Sequence, residues 1–429
     1  MKKLSVILLF ALSLLLALSS CDLNLQDLLQ KDSIEQDTTQ EPEPSHTCTP
    51  SAVVIENKVE ASCEKAGSYD EVVYCANCTK ELSRDRKTTS MLDHAYVEGK
   101  CKWCGKTWSR GLEYTFNSDG TCNVSGIGIC KDTAIVIPET HDGMKVTSIG
   151  DFAFQGCRSL TSVEILDNVK KIGKGAFYEC SGLTSVEIGE RVTSIGDSAF
   201  SWCSHLTSVV IPDSVKSISK SAFQGCSRLV SVELPNSVKS IGDSAFSWCT
   251  SLASMVIPDS VTSIGDEAFY ECKSLVSMVI PDGVTSIGEL AFNRCVSLTS
   301  MVIPDSVTSI GYSAFSNCTS LTSVEIPNSV TSIGELAFSW CTSLTSVVIP
   351  NSMTSISYGA FFECTSLTSV IIPDSVKSMD EGAFYGCTSL TDVYYTGSKT
   401  KWNKIEVGSE NSYLTGATKH YNYVPKSQN

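Results

Sequence analysis

Residues 252–274 read LASMVIPDSVTSIGDEAFYECKS, and the same 23-residue pattern precedes and follows them. One cysteine returns at every 23rd position from Cys157, Cys180 and Cys203 through Cys226, Cys249 and Cys272 to Cys387. Three residues before each stands a phenylalanine (Phe154, Phe177, on to Phe384), preceded by alanine. Three residues after each stands a leucine (Leu160, Leu183, on to Leu390). A fixed period of this length implies a solenoid whose coils bury their apolar side only against neighbouring coils.

Within the quoted repeat, Leu252, Met255 and Ile257 fall at the inward places of a short strand, and Val256 points outward. Pro258 ends the strand and stiffens the turn, as does a proline at the same place in seven other coils. Val261 and Ile264 form a second inward pair, and Ala268, Phe269 and Cys272 return the chain along the other side. Each Phe is expected to stack on the Phe of the next coil. The repeat cysteines are expected to be free thiols, because parallel Cβ vectors in neighbouring coils do not meet at sulfur. The fold expected is a leucine-rich-repeat solenoid, curved, with short parallel β-strands and an irregular or short-helical convex side. A small cysteine-rich module precedes it.

The rest of the chain falls into place around this array, which occupies residues 145–393. Lys2 and Lys3 lead into an apolar run, too short to span a bilayer, that ends in Leu18-Ser19-Ser20-Cys21. Residues 1–20 read as a secretory signal, and the tetrapeptide resembles a bacterial lipobox with Cys21 as the lipidated residue. Residues 21–45 are acidic, rich in Gln and without aromatics, which suits a flexible tether. Residues 46–110 hold Cys75-Ala-Asn-Cys78 and Cys101-Lys-Trp-Cys104. Two such pairs approach a four-cysteine zinc pattern with Cys75, Cys78, Cys101 and Cys104 as ligands, and disulfide bonding is the rival for an exported chain. No other cofactor is expected. Residues 111–144 read as an N-terminal cap, in which Leu112–Phe116 and Ile135–Pro138 are strand-like and Asn117-Ser-Asp-Gly120 is a turn between two short strands. Cys122 and Cys130 lie here, bridged or free. Residues 394–429 abandon the period and form a C-terminal cap.

The combination I-P-x-x-V-x-x-I-G-x-x-A-F-x-x-C with an L-x-x-V strand resembles the BspA-like leucine-rich-repeat family of bacterial surface proteins, over residues 111–429. Leu166 and Gly189 stand where the pattern has proline, and Ser219, Ser357 and Asp380 where it has glycine. The resemblance implies an exported protein that binds host matrix or other cell-surface proteins.

No catalytic constellation stands out. The five histidines (His46, His94, His141, His205 and His420) are scattered, and there is no glycine-rich phosphate loop and no basic stripe. Acidic residues outnumber basic ones 47 to 32, for a net charge of −15. Loss of a signal carrying two lysines leaves about −17. Such a surface repels nucleic acid, which is excluded as a partner, and anionic lipid, so the membrane is met only through the lipid anchor. Function therefore belongs to exposed positions. The outward strand place carries Val256, Val279 and Val302 in three consecutive coils, bracketed by Glu233 and Glu325, and is expected to form an apolar row on the concave face. Trp202, Trp248 and Trp340, each just before a repeat cysteine, are expected on the convex side as coil-edge covers or ligand anchors. The reading that results is non-enzymatic: a lipid-anchored solenoid at a bacterial cell surface that binds proteins as an adhesin or attachment factor. A glycan- or cell-wall-binding module is the alternative.

The zinc expectation is directly measurable. Metal analysis of residues 46–110, purified without reductant or chelator, should return about one zinc per chain. Absence of metal together with oxidised cysteines assigns the module to disulfides.

Overall fold

The computed structural model describes residues 50–59, 67–76, 78, 80–89, 96–97, 100–101 and 108–425. The signal, Cys21 and the tether lie outside the described residues, as does Cys104. Among the described residues no helix is long and apolar enough to cross a membrane. The chain divides into two compact units, residues 1–92 and 93–429, and the divide falls inside residues 46–110.

The first unit holds a three-stranded antiparallel sheet of Val54–Val59, Gly67–Tyr74 and Glu81–Thr89, with the second strand in the middle. Val72 and Cys75 are its buried apolar residues. Asp70 is buried beside them and accepts hydrogen bonds from Asn57 Nδ2 (2.8 Å) and from Arg84 (3.0 Å), which also reaches Glu56 and Glu81. One guanidinium thus ties all three strands together through charge-assisted bonds.

The second unit is a parallel-strand solenoid of about 13 turns with very little helix. Most coils contribute strands to two ladders. In the first, residues such as Ser277–Val279, Ser300–Val302 and Ser323–Glu325 pair in parallel, offset by one repeat. The second is built from two-residue strands, with Ser240–Ile241, Ser263–Ile264 and Ser286–Ile287 as successive rungs, and places Ile241, Ile264 and Ile287 inward. The remaining side is irregular, made of turns. Among the described residues the helices are two short ones in the C-terminal cap, Lys399–Trp402 and Ser412–Gly416.

The cap at the other end differs from the sequence expectation in one respect. Glu113–Phe116 forms its hairpin with Thr121–Gly126, whereas Ala134–Val136 already pairs in parallel with Ser162–Ile165 and is the first rung of the strand ladder. Thr121–Gly126 likewise pairs in parallel with Met144–Ile149. The hairpin therefore caps the ladder that runs through Met144–Ile149, where its second strand offers a row of backbone partners, and Ala134–Val136 caps the other. Cys122 and Cys130 are both free thiols.

The core is a set of columns, each filled by one repeat position. The eleven phenylalanines from Phe154 to Phe384 are all fully buried. Their rings stack face to face between consecutive coils at 5.1–5.7 Å with interplanar angles of 3–14°. The repeat cysteines are free thiols, and all but Cys157 are buried. From Cys180 onward each Sγ donates to the carbonyl of the Phe 26 residues earlier, as in Cys272 to Phe246 O at 3.2 Å. Each of these carbonyls also accepts the backbone N–H of the Cys in its own coil, as Phe246 O does from Cys249 N at 3.1 Å, so the thiol takes the second lone pair of an oxygen that the turn already uses.

Glycine in the I-G column reflects close approach of backbones. A Cβ on Gly265 would lie 2.6 Å from the backbone nitrogen of Asp243 in the preceding coil. Ser219 and Ser357 occupy the same column and turn that crowding to use: their hydroxyls donate to Ile195 O at 2.5 Å and Ile333 O at 2.6 Å.

Two outcomes test this core. Phe269→Ala, in mid-array, removes a ring held between two others and should destabilise the chain by about 3–5 kcal/mol in denaturant unfolding. Burial pushes the Cys180, Cys226, Cys341 and Cys387 thiols up to about 12. The unfolded chain releases those protons near pH 8.5–9 and the folded chain does not, so stability is full below that range and falls as pH rises toward 12. A denaturation midpoint measured from pH 7 to 11 should therefore decline above pH 9, and Cys226→Ala should make the decline shallower.

Candidate interaction surfaces

The outward strand position is exposed, as its alternation with buried neighbours requires. Val256 retains 75% of its surface, Val279 42% and Val302 52%, while Met255, Met278 and Met301 beside them are buried. Strand pairing along the expected row of three is interrupted at one step. Val279 pairs with Val302, which pairs with Glu325. Val256 instead bridges to Glu233, and no strand pairing joins it to Val279 among the described residues. The three valines keep the same outward place in consecutive stacked coils, with Glu233 bridged to Val256 at one end and Glu325 paired with Val302 at the other. Farther along, the same position carries Val348, Ile371, Tyr394 and His420 in register. There His420 stacks on Tyr394 at 4.6 Å and meets Asp392 at 2.7 Å.

The second surface is one whose backbone the sequence reading missed. Every coil from 152 to 386 contains two residues with positive φ, one just before the repeat Ala and one just before the repeat Cys. The first column includes Ser198, Glu267, Leu290 and Leu336, and the second Glu179, Trp202, Trp248, Glu271, Arg294 and Trp340, with φ of 55–62° in these residues. A signal for this was available: glycine stands in the same columns at Gly175, Gly359 and Gly382, and at Gly156, Gly225 and Gly386. In this conformation a side chain swings sideways over the next coil. The Trp202 ring lies over Gly225, where an added Cβ would come within 2.7 Å of it. Trp248 meets the edge of Tyr270 at 5.8 Å and carries the Lys273 ammonium 5.9 Å from its centroid. Trp340 approaches Phe362 at 6.0 Å, and Phe362 stacks on Tyr385 at 4.9 Å. The three tryptophans nevertheless keep 38–45% of their surface exposed, so they both cover the coil edge and face solvent.

Charge is organised on this corner too. Glu271 is buried between Lys273 and Arg294, each at 2.8 Å. Burial alone would raise its carboxyl, but the two cationic hydrogen bonds outweigh that and hold it below the usual carboxylate range.

His141 stacks on Tyr114 at 3.7 Å, and His205 Nδ1 meets the backbone carbonyl of Ser181 at 2.6 Å. Cys75 and Cys78 belong to the first unit and Cys101 to the second. Cys75 N donates to Lys80 O at 2.7 Å, which closes a tight turn around the first pair. Among the described residues no three His, Cys, Asp or Glu side chains are grouped to hold a metal.

Comparison with known proteins adds the following. The family model for the BspA type leucine rich repeat region (6 copies) matches residues 130–252, 193–322 and 309–407, which together run through more than half of the chain. No curated protein matches the sequence. Similar solved structures include a leucine rich cell surface protein from Faecalibacterium prausnitzii, 32% identical over 70% of this chain and 98% of that one, with a TM-score of 0.46. A leucine-rich repeat protein from Bacteroides ovatus is 28% identical over 72% of this chain and 98% of that one, with a TM-score of 0.41. A leucine rich repeat protein of T. pallidum is 29% identical over 50% of this chain and 90% of that one, with a TM-score of 0.39.

Proposed function

The chain belongs to the BspA-type leucine-rich-repeat family, and from that premise we propose that it is an exported surface protein that captures other proteins, an adhesin or attachment factor. Leucine-rich-repeat solenoids are in general binding modules, and the Faecalibacterium relative is described as a cell surface protein. Anchoring follows from Cys21, which resembles the lipidated residue of a lipobox. The partners in view are host matrix or cell-surface proteins.

The observation that carries the reading is the exposed strand face with Val256, Val279 and Val302 set beside Glu233 and Glu325. Exposed apolar side chains on a rigid ladder offer contact area that needs no ordering on binding. The adjacent carboxylates favour a partner with Lys or Arg at its rim, which makes association salt-sensitive. Glycan binding through Trp202, Trp248 and Trp340 is the second reading, supported by their half-exposed rings.

Changing Val256, Val279 and Val302 together to Glu should leave folding intact, since Glu already stands at this position in other coils such as Glu187 and Glu233. Attachment to matrix protein or cells should fall at least about tenfold, because three carboxylates would be buried without partners. Full attachment by this variant, with loss in the Trp202→Ala, Trp248→Ala, Trp340→Ala variant, would place the partner on the other surface.

A further inference from the structure

The left-handed columns end in an opening. Side chains at the position before the repeat Ala lie across the next coil where Phe152 covers Gly175 and Leu336 covers Gly359, and an added Cβ on either glycine would come within 2.5–2.6 Å of them. The last two coils carry Gly359 and Gly382 there, so nothing crosses the end of the column. A Cβ built on Gly382 would meet only Tyr385 Cβ, at 3.6 Å. The space left is a cavity of about 390 Å³ lined by Tyr358, Phe362, Glu381, Gly382, Tyr385 and Glu410. Two coils and the C-terminal cap each supply a wall, and Gly382 N is fixed to the cap through Ser409 O at 2.9 Å.

The chemistry of the walls selects the ligand. Phe362 and Tyr385 form a parallel stack 4.9 Å apart, and Tyr358 and Tyr385 are exposed. Glu381 and Glu410 are exposed, and among the described residues neither enters an ion pair. Aromatic faces with unpaired carboxylates attract a cation through the ring quadrupole and through charge, and the net charge of −15 draws cations from a distance. We propose that this pocket binds a cationic side chain, an arginine or lysine presented by a protein partner. The choice of a protein as the source of the cation rests on the binding function proposed above; the selection of a cation does not. A sugar ring would stack here too and donate its hydroxyls to the carboxylates, but it gains nothing from their charge, whereas a cation gains from both rings and charge.

Isothermal titration of the full chain with the peptide Gly-Gly-Arg-Gly-Gly, the same peptide with citrulline for arginine, and chitotriose tests the proposal. The arginine peptide should bind saturably with a dissociation constant of about 1 mM or tighter, and the citrulline peptide at least about tenfold more weakly. Gly382→Leu should abolish binding by filling the cavity; Leu290 and Leu336 adopt the same backbone at this position (φ 55° and 57°), so folding should be preserved. Glu381→Gln with Glu410→Gln should weaken binding at least about tenfold and reduce its salt dependence. Equal binding of both peptides, no binding of either, or arginine binding untouched by these variants overturns the proposal. Chitotriose binding that Gly382→Leu removes, without arginine binding, makes the pocket a glycan site and overturns it as well. The Val256, Val279 and Val302 to Glu variant separates the two proposals, since it should keep arginine-peptide binding whether or not the strand face is the docking surface.

Discussion

Everything in the solenoid depends on the requirement that each coil be superimposable on the next. A single coil has no core of its own: its Phe is covered by the Phe before and after it, and its backbone donors find acceptors one repeat away, as Phe200 N does at Ala222 O. The step between coils is therefore common to the ring stack, both strand ladders and the thiol column. A change in any one inward column would have to be absorbed by all of them. This explains why Phe, Cys and Leu return without interruption while outward positions vary among Glu, Val and Tyr.

The same requirement makes the strained corner affordable. A left-handed residue other than glycine costs roughly 1–2 kcal/mol, and most coils carry at least one. The cost is met because neighbouring coils hold the turn in place: Trp202 N donates to Gln224 O at 2.6 Å and Trp248 N to Tyr270 O at 2.7 Å. Since the backbone is dictated by the ladder, the side chain there is free to be Gly, Ser, Glu, Arg or Trp. Strain is thus confined to the positions where chemical variety is displayed.

Two surfaces of different character result. The strand face is a ladder of outward residues with apolar and acidic members side by side, suited to a broad contact. The corner is studded with aromatic rings and charges in discrete clusters, such as Glu271 between Lys273 and Arg294, and suits anchoring of single groups. Both are rigid, because each exposed residue stands on a backbone fixed from both sides, so a partner would meet a surface already ordered.

The repeat period, the inward columns, the stacked phenylalanines, the unpaired repeat thiols and the outward face of Val256 were all legible in the residues alone. Each is a consequence of periodicity, and a strict 23-residue step translates spacing in sequence directly into adjacency in space. The tertiary structure decided what periodicity does not encode. The second ladder of Ser-Ile strands is two residues long, too short to show an alternation. The strand bonding along the outward face is interrupted between Val256 and Val279, a local detail of backbone geometry. Trp202, Trp248 and Trp340 stand on left-handed backbone, a dihedral state hinted at only by glycines in the same column. The cavity over Gly382 exists because two successive coils lack a side chain that their neighbours extend sideways, and a missing overhang becomes a space only once the coils are stacked.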